Sequence, residues 1–297
     1  MLRGLYTATA GMISQQRKHD TITNNVANMN TPGFKQNQTS LRSFPEMLIS
    51  LVGGEPGQPT SKSIGRMNTG VFAEENVPVF MQGDLNESGN PFDFALISNI
   101  QVDGIQFDGS GKGVSADGQI VFQPQSFFSV QNANGEERYT RNGKFTVNQQ
   151  GELITGEGYL VLDANRQPIQ LIDPNTQAGE TKIRVNENGQ LFNEVNGQAV
   201  QDAAGNPQTL LISIVDNPGL LVREGNGTYR LTEGQARTAT QQDQVLVRQG
   251  YFERSNVDPS QSMVDMMSAS RAYEANQKVI QAYDKSLQLA ANEIGKV

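Results

Sequence analysis

The chain has 297 residues, 36% hydrophobic and 18% charged, which makes it globular and long enough for one large or two modest domains. A formal net charge of -8 argues against a nucleic-acid partner, because phosphates require basic patches. The absence of cysteine removes disulfides, thiolate metal sites and cysteine nucleophiles together, and suits a protein that passes between redox compartments.

Residues 1–33 read as an N-terminal assembly helix. Leu5, Met12, His19 and Val26 recur every seven residues as one column, and Ala8, Gln15, Ile22 and Met29 as a second, the a/d seam along which helices pair. The helix runs from Leu2 to about Met29. It stops there because Asn24, Asn25, Asn28 and Asn30 favour local side-chain bonds, Pro32 pushes Thr31 out of the α region, and Gly33 can take positive φ. Polar residues interrupt Gly4 to Ile22, so no Sec signal is expected, and no run of apolar residues is long enough to enter a membrane.

Residues 34–91 have weak periodicity and read as an extended connector with one apolar node, Phe44-Pro45-Glu46-Met47-Leu48-Ile49. Such a length of free loop is foreign to a compact domain, so the connector is expected to lie against something. Residues 92–250 read as an antiparallel β domain. Asn-Gly pairs stand at 134, 142, 188, 196 and 226 and Asp-Gly pairs at 103, 108 and 117, between short alternating runs at 127–130, 144–147, 159–162, 182–185 and 210–215.

Residues 251–297 read as the C-terminal assembly helix, with Asp258 as N-cap, Pro259 at N1 and Gln261 completing a capping box. Met266, Tyr273, Ile280, Leu287 and Ile294 form one column; Ala269, Asn276, Tyr283, Ala290 and Val297 form its companion. The expected fold class is therefore α+β, mainly β: N- and C-terminal helices forming a coiled-coil assembly region, an extended connector and an antiparallel β domain. An intramolecular helical hairpin or a dimeric coiled coil would give the same heptads. Gln15, His19 and Asn276 weaken the seam, and many-copy assembly tolerates weak seams.

No catalytic, cofactor-binding or metal-binding residue stands out, and no enzyme is expected. Gly109-Ser110-Gly111-Lys112-Gly113 lacks the spacing and the following helix of a phosphate loop and reads as a β-turn. His19 is the only histidine and lies on a helix seam, and the Asp-Gly aspartates lack calcium-loop spacing.

Residues 24–35, NNVANMNTPGFK, carry Asn24, Asn25, Asn28, Asn30, Thr31, Pro32, Gly33 and Phe34 and resemble the signature of the bacterial flagellar axial proteins, the family of rod, hook and hook–filament junction subunits. Leu5-Tyr6-Thr7-Ala8, Gly11-Met12 and Gln15-Gln16 are similar to that family's first helix. Ser255-Asn256-Val257-Asp258, Met263-Val264-Asp265-Met266 and Arg271 to Asn276 resemble its C-terminal signature. Gln82-Gly83-Asp84-Leu85, Gly89 to Ala95 and Arg138 to Phe145 are similar to its internal stretches. Two departures stand out: His19 replaces an aliphatic residue, and residues 97–125 read as an inserted surface hairpin.

The resemblance implies a structural subunit of the basal-body rod, of distal type by length. Terminal helices would pack into a tube that transmits torque and encloses an export channel. A hook-type subunit, or a secreted β-rich fibre or adhesin with a coiled-coil stalk, is the alternative. The implied partners are copies of the same chain in a homo-polymer, other rod and hook subunits, and the flagellar export apparatus. The implied location is the basal body, reached without a cleaved signal peptide. Phe44 and Leu48 resemble the family's export-gate signal. The seam residues expected to carry assembly are Leu5, Ala8, Met12, Ile22, Val26, Met266, Tyr273, Ile280, Tyr283, Leu287 and Ile294.

Overall fold

The computed structural model describes residues 2–51, 62–98, 100–102, 104–108, 111–115, 117–171, 182–195, 197–202, 205–225 and 227–294. The chain divides into two compact units: unit 1 is 1–27, 37–77 and 258–297, and unit 2 is 28–36 and 78–257. The sequence-based boundary at residue 92 thus falls inside unit 2.

Unit 1 contains helix α1 (Leu2–Ala27), strands β1 (Asn37–Ser43), β2 (Met47–Leu51), β3 (Lys62–Met67) and β4 (Val71–Pro78), and, from the far end of the chain, helix α2 (Pro259–Leu289). α1 ends two residues before the expected Met29. The Asn28 carbonyl accepts from Thr31 N at 3.1 Å and its side chain from the Thr31 hydroxyl at 3.2 Å, the local competition that ends helices. The Asp258 side chain caps α2, accepting from Ser260 N at 2.8 Å and Gln261 N at 3.2 Å. The expected capping box does not form: the Gln261 amide turns forward to Asp265 at 3.1 Å. α2 closes on a π turn at Ala290–Ile294.

Within the stretch read as an extended connector, residues 37–77 form a β-hairpin in unit 1, while 34–36 and 78–91 fall in unit 2. β1 pairs with β4, and β2 with β3, both antiparallel. It is fastened to α1 by a polar heptad that sequence reading passed over. Thr7 Oγ1 lies 2.9 Å from Thr69 O, Ser14 Oγ 3.1 Å from Val71 O and Thr21 Oγ1 3.1 Å from Asn76 Oδ1, each hydroxyl sharing its one proton with the carbonyl four residues back in α1, and Arg17 donates to Ala73 O at 3.2 Å. The spacings match physically. Fourteen helical residues at ~1.5 Å and seven strand residues at ~3.3 Å cover nearly equal lengths, so one strand residue advances for every two of helix. Asn25, buried, ends this row by offering its amide to Asn37 as a strand edge would, donating to Asn37 O at 2.8 Å and accepting from Asn37 N at 2.9 Å.

Unit 2 is antiparallel β. Its strands are β5 (Leu85–Glu87), β6 (Phe94–Ser98), β7 (Lys112–Val114), β8 (Ile120–Phe122), β9 (Gln125–Gln131), β10 (Glu137–Thr140), β11 (Phe145–Val147), β12 (Leu153–Thr155), β13 (Leu160–Val161), β14 (Ile183–Val185), β15 (Leu191–Asn193), β16 (Ile212–Val215), β17 (Leu221–Arg223), β18 (Thr228–Leu231), β19 (Arg237–Thr238), β20 (Val245–Gln249) and β21 (Tyr251–Glu253). The main sheet runs β11-β12-β13-β9-β10-β18-β17, with β16 joining β9 to β19. β6 pairs with β20 and β5 with β21, so both ends of the unit's sequence close on each other. The 97–125 segment contains the β7–β8 hairpin.

β9 is buried on both faces rather than one. Phe128 and Val130 enter a core with Phe94, Phe145, Leu153 and Ile212, while Phe127 packs with Tyr139, Leu221 and Tyr229 in a second. Ser129, on the Phe127 face, is satisfied by Ser213 Oγ at 2.7 Å.

One turn recurs through the unit. At Asn132, Asn148, Asp163 and Asn186 the side-chain oxygen accepts the backbone N–H two and four residues on. The residue three on is left-handed: Gly135, Gly151 and Gly189 at φ 82, and Arg166 at φ 61. The hairpin signal at 134 and 188 is thus the second half of a longer Asx turn whose Asn sits two places earlier. Asn142-Gly143 is not a hairpin tip at all: Gly143 O accepts from Phe94 N at 2.9 Å, and a Cβ on Gly143 would overlap the Phe94 carbonyl.

Candidate assembly surface

Within unit 1, α1 and α2 pack antiparallel. A Cβ on Gly4 would overlap the Tyr283 hydroxyl, and one on Gly11 would stand 3.1 Å from the Asn276 amide. Glycines seven residues apart on one helix therefore face large side chains seven apart on the other, which lets the backbones approach. Ala8 and Ile22 are buried, as is Ala269, and Leu5, Met12, Val26, Met266, Tyr273, Ile280, Tyr283 and Leu287 are half-buried. The Ile294 side chain and Val297 lie outside the described residues. The two columns thus meet each other inside one chain, as an intramolecular helical hairpin does.

Other apolar side chains of the pair stay in the open. Met263, Val264 and Met267, within two turns of α2, are 53–56% exposed, and Tyr6 on α1 is 69% exposed. On the hairpin, Leu48 is 71% exposed, while the Phe44 ring rests on Phe72 at 5.2 Å. A contiguous exposed apolar face on a helix marks a binding surface more often than an ornament.

The N-terminal signature divides between the units. Asn24 is exposed and Asn25 buried in unit 1; Asn28, Thr31 and Pro32 are half-buried, Asn30 exposed, and Gly33 and Phe34 buried in unit 2. Gly33 has φ 68, and a Cβ there would lie 2.6 Å from Asn142 N. Phe34 lies under the Arg223 guanidinium at 4.1 Å.

Next to it sits an ion cluster that sequence reading missed. Lys35, Arg141 and Glu253 each have side chains only 1% exposed. Glu253 Oε1 accepts from Lys35 Nζ at 2.6 Å and Gly83 N at 2.8 Å, and its Oε2 from Arg141 Nε at 2.9 Å. Lys35 Nζ also donates to Met81 O at 2.7 Å, and Arg141 to Ser126 O at 2.8 Å. Burial pushes the Lys35 ammonium down to about 8, with Arg141 adding to the effect and Glu253 opposing it. Burial would raise the Glu253 carboxyl, but Arg141 and Lys35 outweigh it and hold it below the usual carboxylate range. Asn256 extends the network, accepting from Gln36 N at 2.7 Å and donating to Val79 O at 2.9 Å. The available signal was that Lys35, Gly83, Arg141 and Asn256 all lie in the quoted signature stretches; nothing in their spacing foretold that these stretches meet.

Gly111 takes φ 77 just before β7, and the rest of the turn expected at the glycine-lysine decoy, residues 109 and 110, lies outside the described residues.

Lys35, Arg141 and Glu253 each fall in a segment that comparison with known proteins picks out. Residues 5–35 match the family described as flagella basal body rod protein, 121–193 the flagellar hook protein FlgE/F/G D1 domain, and 248–293 the flagellar basal body rod FlgEFG protein C-terminal. The flagellar hook-basal body complex protein FlhO of Bacillus subtilis (strain 168) is 39% identical over 301 aligned positions, covering 100% of both chains. The flagellar basal-body rod protein FlgG of Borreliella burgdorferi is 29% identical over 98% of each chain, and that of Bacillus subtilis 28% identical over 98% of this chain and 99% of its own. Identity at this level, carried over the full length of a relative and supported at both helical ends and in the sheet between them, means that the chain belongs to the flagellar hook–basal body rod family.

Proposed function

We propose that this structural axial subunit of the basal body stands in the rod, where copies polymerise through their terminal helices into a helical tube that transmits torque and encloses the export channel. The observation that supports assembly is the exposed Met263, Val264 and Met267 face. The heptad columns of α1 and α2 already face each other within the chain, and the further apolar face on α2 stays exposed among the described residues. A head-to-tail contact that does not close on itself yields a filament, and repetition along it makes a modest contact per subunit sufficient.

The test separates folding from assembly. Val264→Asp and Met267→Asp change exposed positions and should leave helical circular dichroism and the melting temperature within error, yet abolish motility and release subunits into the culture medium. Ile280→Asp changes the seam within the chain and should instead lower the melting temperature. Normal motility in both outward-face variants would overturn assembly through α2. The hook-type reading differs in position only, since the matched D1 description spans hook and rod proteins; fractionating a tagged chain with rods or with hooks decides it.

Export through the flagellar apparatus without a cleaved signal is part of the same proposal. Leu48 projects freely and Phe44 is 38% exposed, so both are open to a receptor. Phe44→Ala with Leu48→Ala should reduce the secreted fraction while leaving the protein folded inside the cell. An unchanged secreted fraction removes these residues from the signal.

A further inference from the structure

The Lys35–Glu253–Arg141 cluster holds two cations against one carboxylate, all sealed from solvent. Each polar atom of the three side chains has a hydrogen-bond partner, but charge is not balanced: with every member ionised, the cluster keeps one buried positive charge in excess. Guanidinium groups do not give up their proton in proteins, so Lys35 is the member that can discharge the excess.

We propose that the cluster is a proton-linked latch in unit 2: loss of the Lys35 proton removes the buried excess charge and leaves a balanced Arg141–Glu253 pair that holds the surrounding segments more tightly. A neutral Lys35 amine keeps its geometry, still donating to Glu253 Oε1 and to Met81 O, so no contact is lost in the change. The segments joined are 33–36, 81–83, Arg141 just past the end of β10 and the end of β21 at Glu253, which lie far apart in sequence and are also tied by the backbone bond from Gly33 N to Glu253 O at 2.8 Å. Tyr229 and Arg223 also face the cluster. Burial raises the Tyr229 hydroxyl to about 12, with Arg223 and Arg141 opposing that rise, and Arg223 is stacked on Phe34. Tyr229 does not compete with Lys35 in mildly alkaline solution.

The sign follows from linkage. Burial has depressed the Lys35 ammonium to about 8, below the ~10.4 of an unfolded lysine. Between those values the unfolded chain binds the extra proton, so the stabilisation is complete above the upper value, is lost as pH falls through the lower one, and grows as pH rises between them. The folding constant of unit 2 should increase by up to on the order of a hundredfold across that window. The latch does not depend on the position of the subunit in the flagellum.

The experiment is a pH titration of the full chain labelled with 13C-lysine, read at the Lys35 Cε resonance and assigned by its absence in Lys35→Met. Lys35 should titrate one to three units below the other lysines, and urea midpoints of the β signal should rise from pH 7 to pH 9.5 in the wild type and stay flatter in Lys35→Met. If that variant fails to fold, the wild-type spectrum decides by whether one lysine Cε resonance titrates well below all the others. Titration of Lys35 together with the surface lysines, or an equal pH slope in both proteins, would overturn the latch.

Discussion

Arg166 stands at φ 61 in a turn whose sister turns carry glycine at the same place. A side chain in that region costs about 1 kcal/mol that glycine avoids, less what glycine's freer unfolded chain takes back. The Arg166 pair with Glu137, at 3.1 Å, involves a guanidinium more than half exposed and contributes little. Arg166→Gly is therefore expected to stabilise unit 2 by up to about 0.5 kcal/mol in urea unfolding. Glu253 lies at the opposite extreme. Glu253→Gln strands two buried cations and should cost about 3–5 kcal/mol, visible as an early unfolding transition of the β signal. Because the Glu253 carboxyl is held low, its contribution is complete above about pH 4.3, where an unfolded glutamate titrates, and is lost only as pH falls through its lowered value. Wild-type unit 2 should thus survive mild acid and melt in strong acid.

At the scale of elements, α1 carries two heptads with different tasks. The apolar one covers α2, and the polar one made by Thr7, Ser14 and Thr21 holds the hairpin. Thr21 is buried and joins a three-membered network, since Thr39 Oγ1 shares its one proton between Thr21 Oγ1 and Asn76 Oδ1, both at 2.8 Å. Thr21→Val preserves shape and removes these bonds, at an expected cost of about 1–2 kcal/mol. The loss should appear as faster amide exchange in β4 while the α1–α2 seam stays protected. Equal exchange in β4 of both proteins would show that the polar heptad does not hold the strand.

At the scale of the molecule, the chain order hides the units. Segment 28–36 belongs to unit 2 although it lies between α1 and the hairpin of unit 1. Its return is short, because Val79 N donates to Gln36 O at 2.8 Å. A polypeptide joining 28–36 to 78–257 through a few Gly-Ser residues should therefore fold cooperatively. One limited to 92–250 should not. It lacks Phe34, Phe80 against Phe127 and Tyr229, the β5–β21 pair and Glu253, and leaves Arg141 buried without a carboxylate. Far-UV circular dichroism and urea titration of the two polypeptides compare them directly; cooperative folding of the shorter one would refute the division.

The sequence by itself determined what depends on neighbours along the chain. The helices at both ends follow from their heptads, the Asp258 cap from its position before Pro259, and the antiparallel strands from turns that close within five residues. It also carried the family signature, because that signature is a string of residues. Tertiary structure decided what depends on partners distant in sequence. Ser14 and Thr21 look like ordinary helix-surface residues until β4 lies beside them, and the connector's weak periodicity reflects a hairpin anchored through side-chain and backbone polar groups rather than through an apolar face. Lys35, Arg141 and Glu253 are three common charged residues in sequence. Only the fold brings both cations within 3 Å of the Glu253 carboxylate and removes the water, and buried charge acquires its energetic weight only once that water is gone.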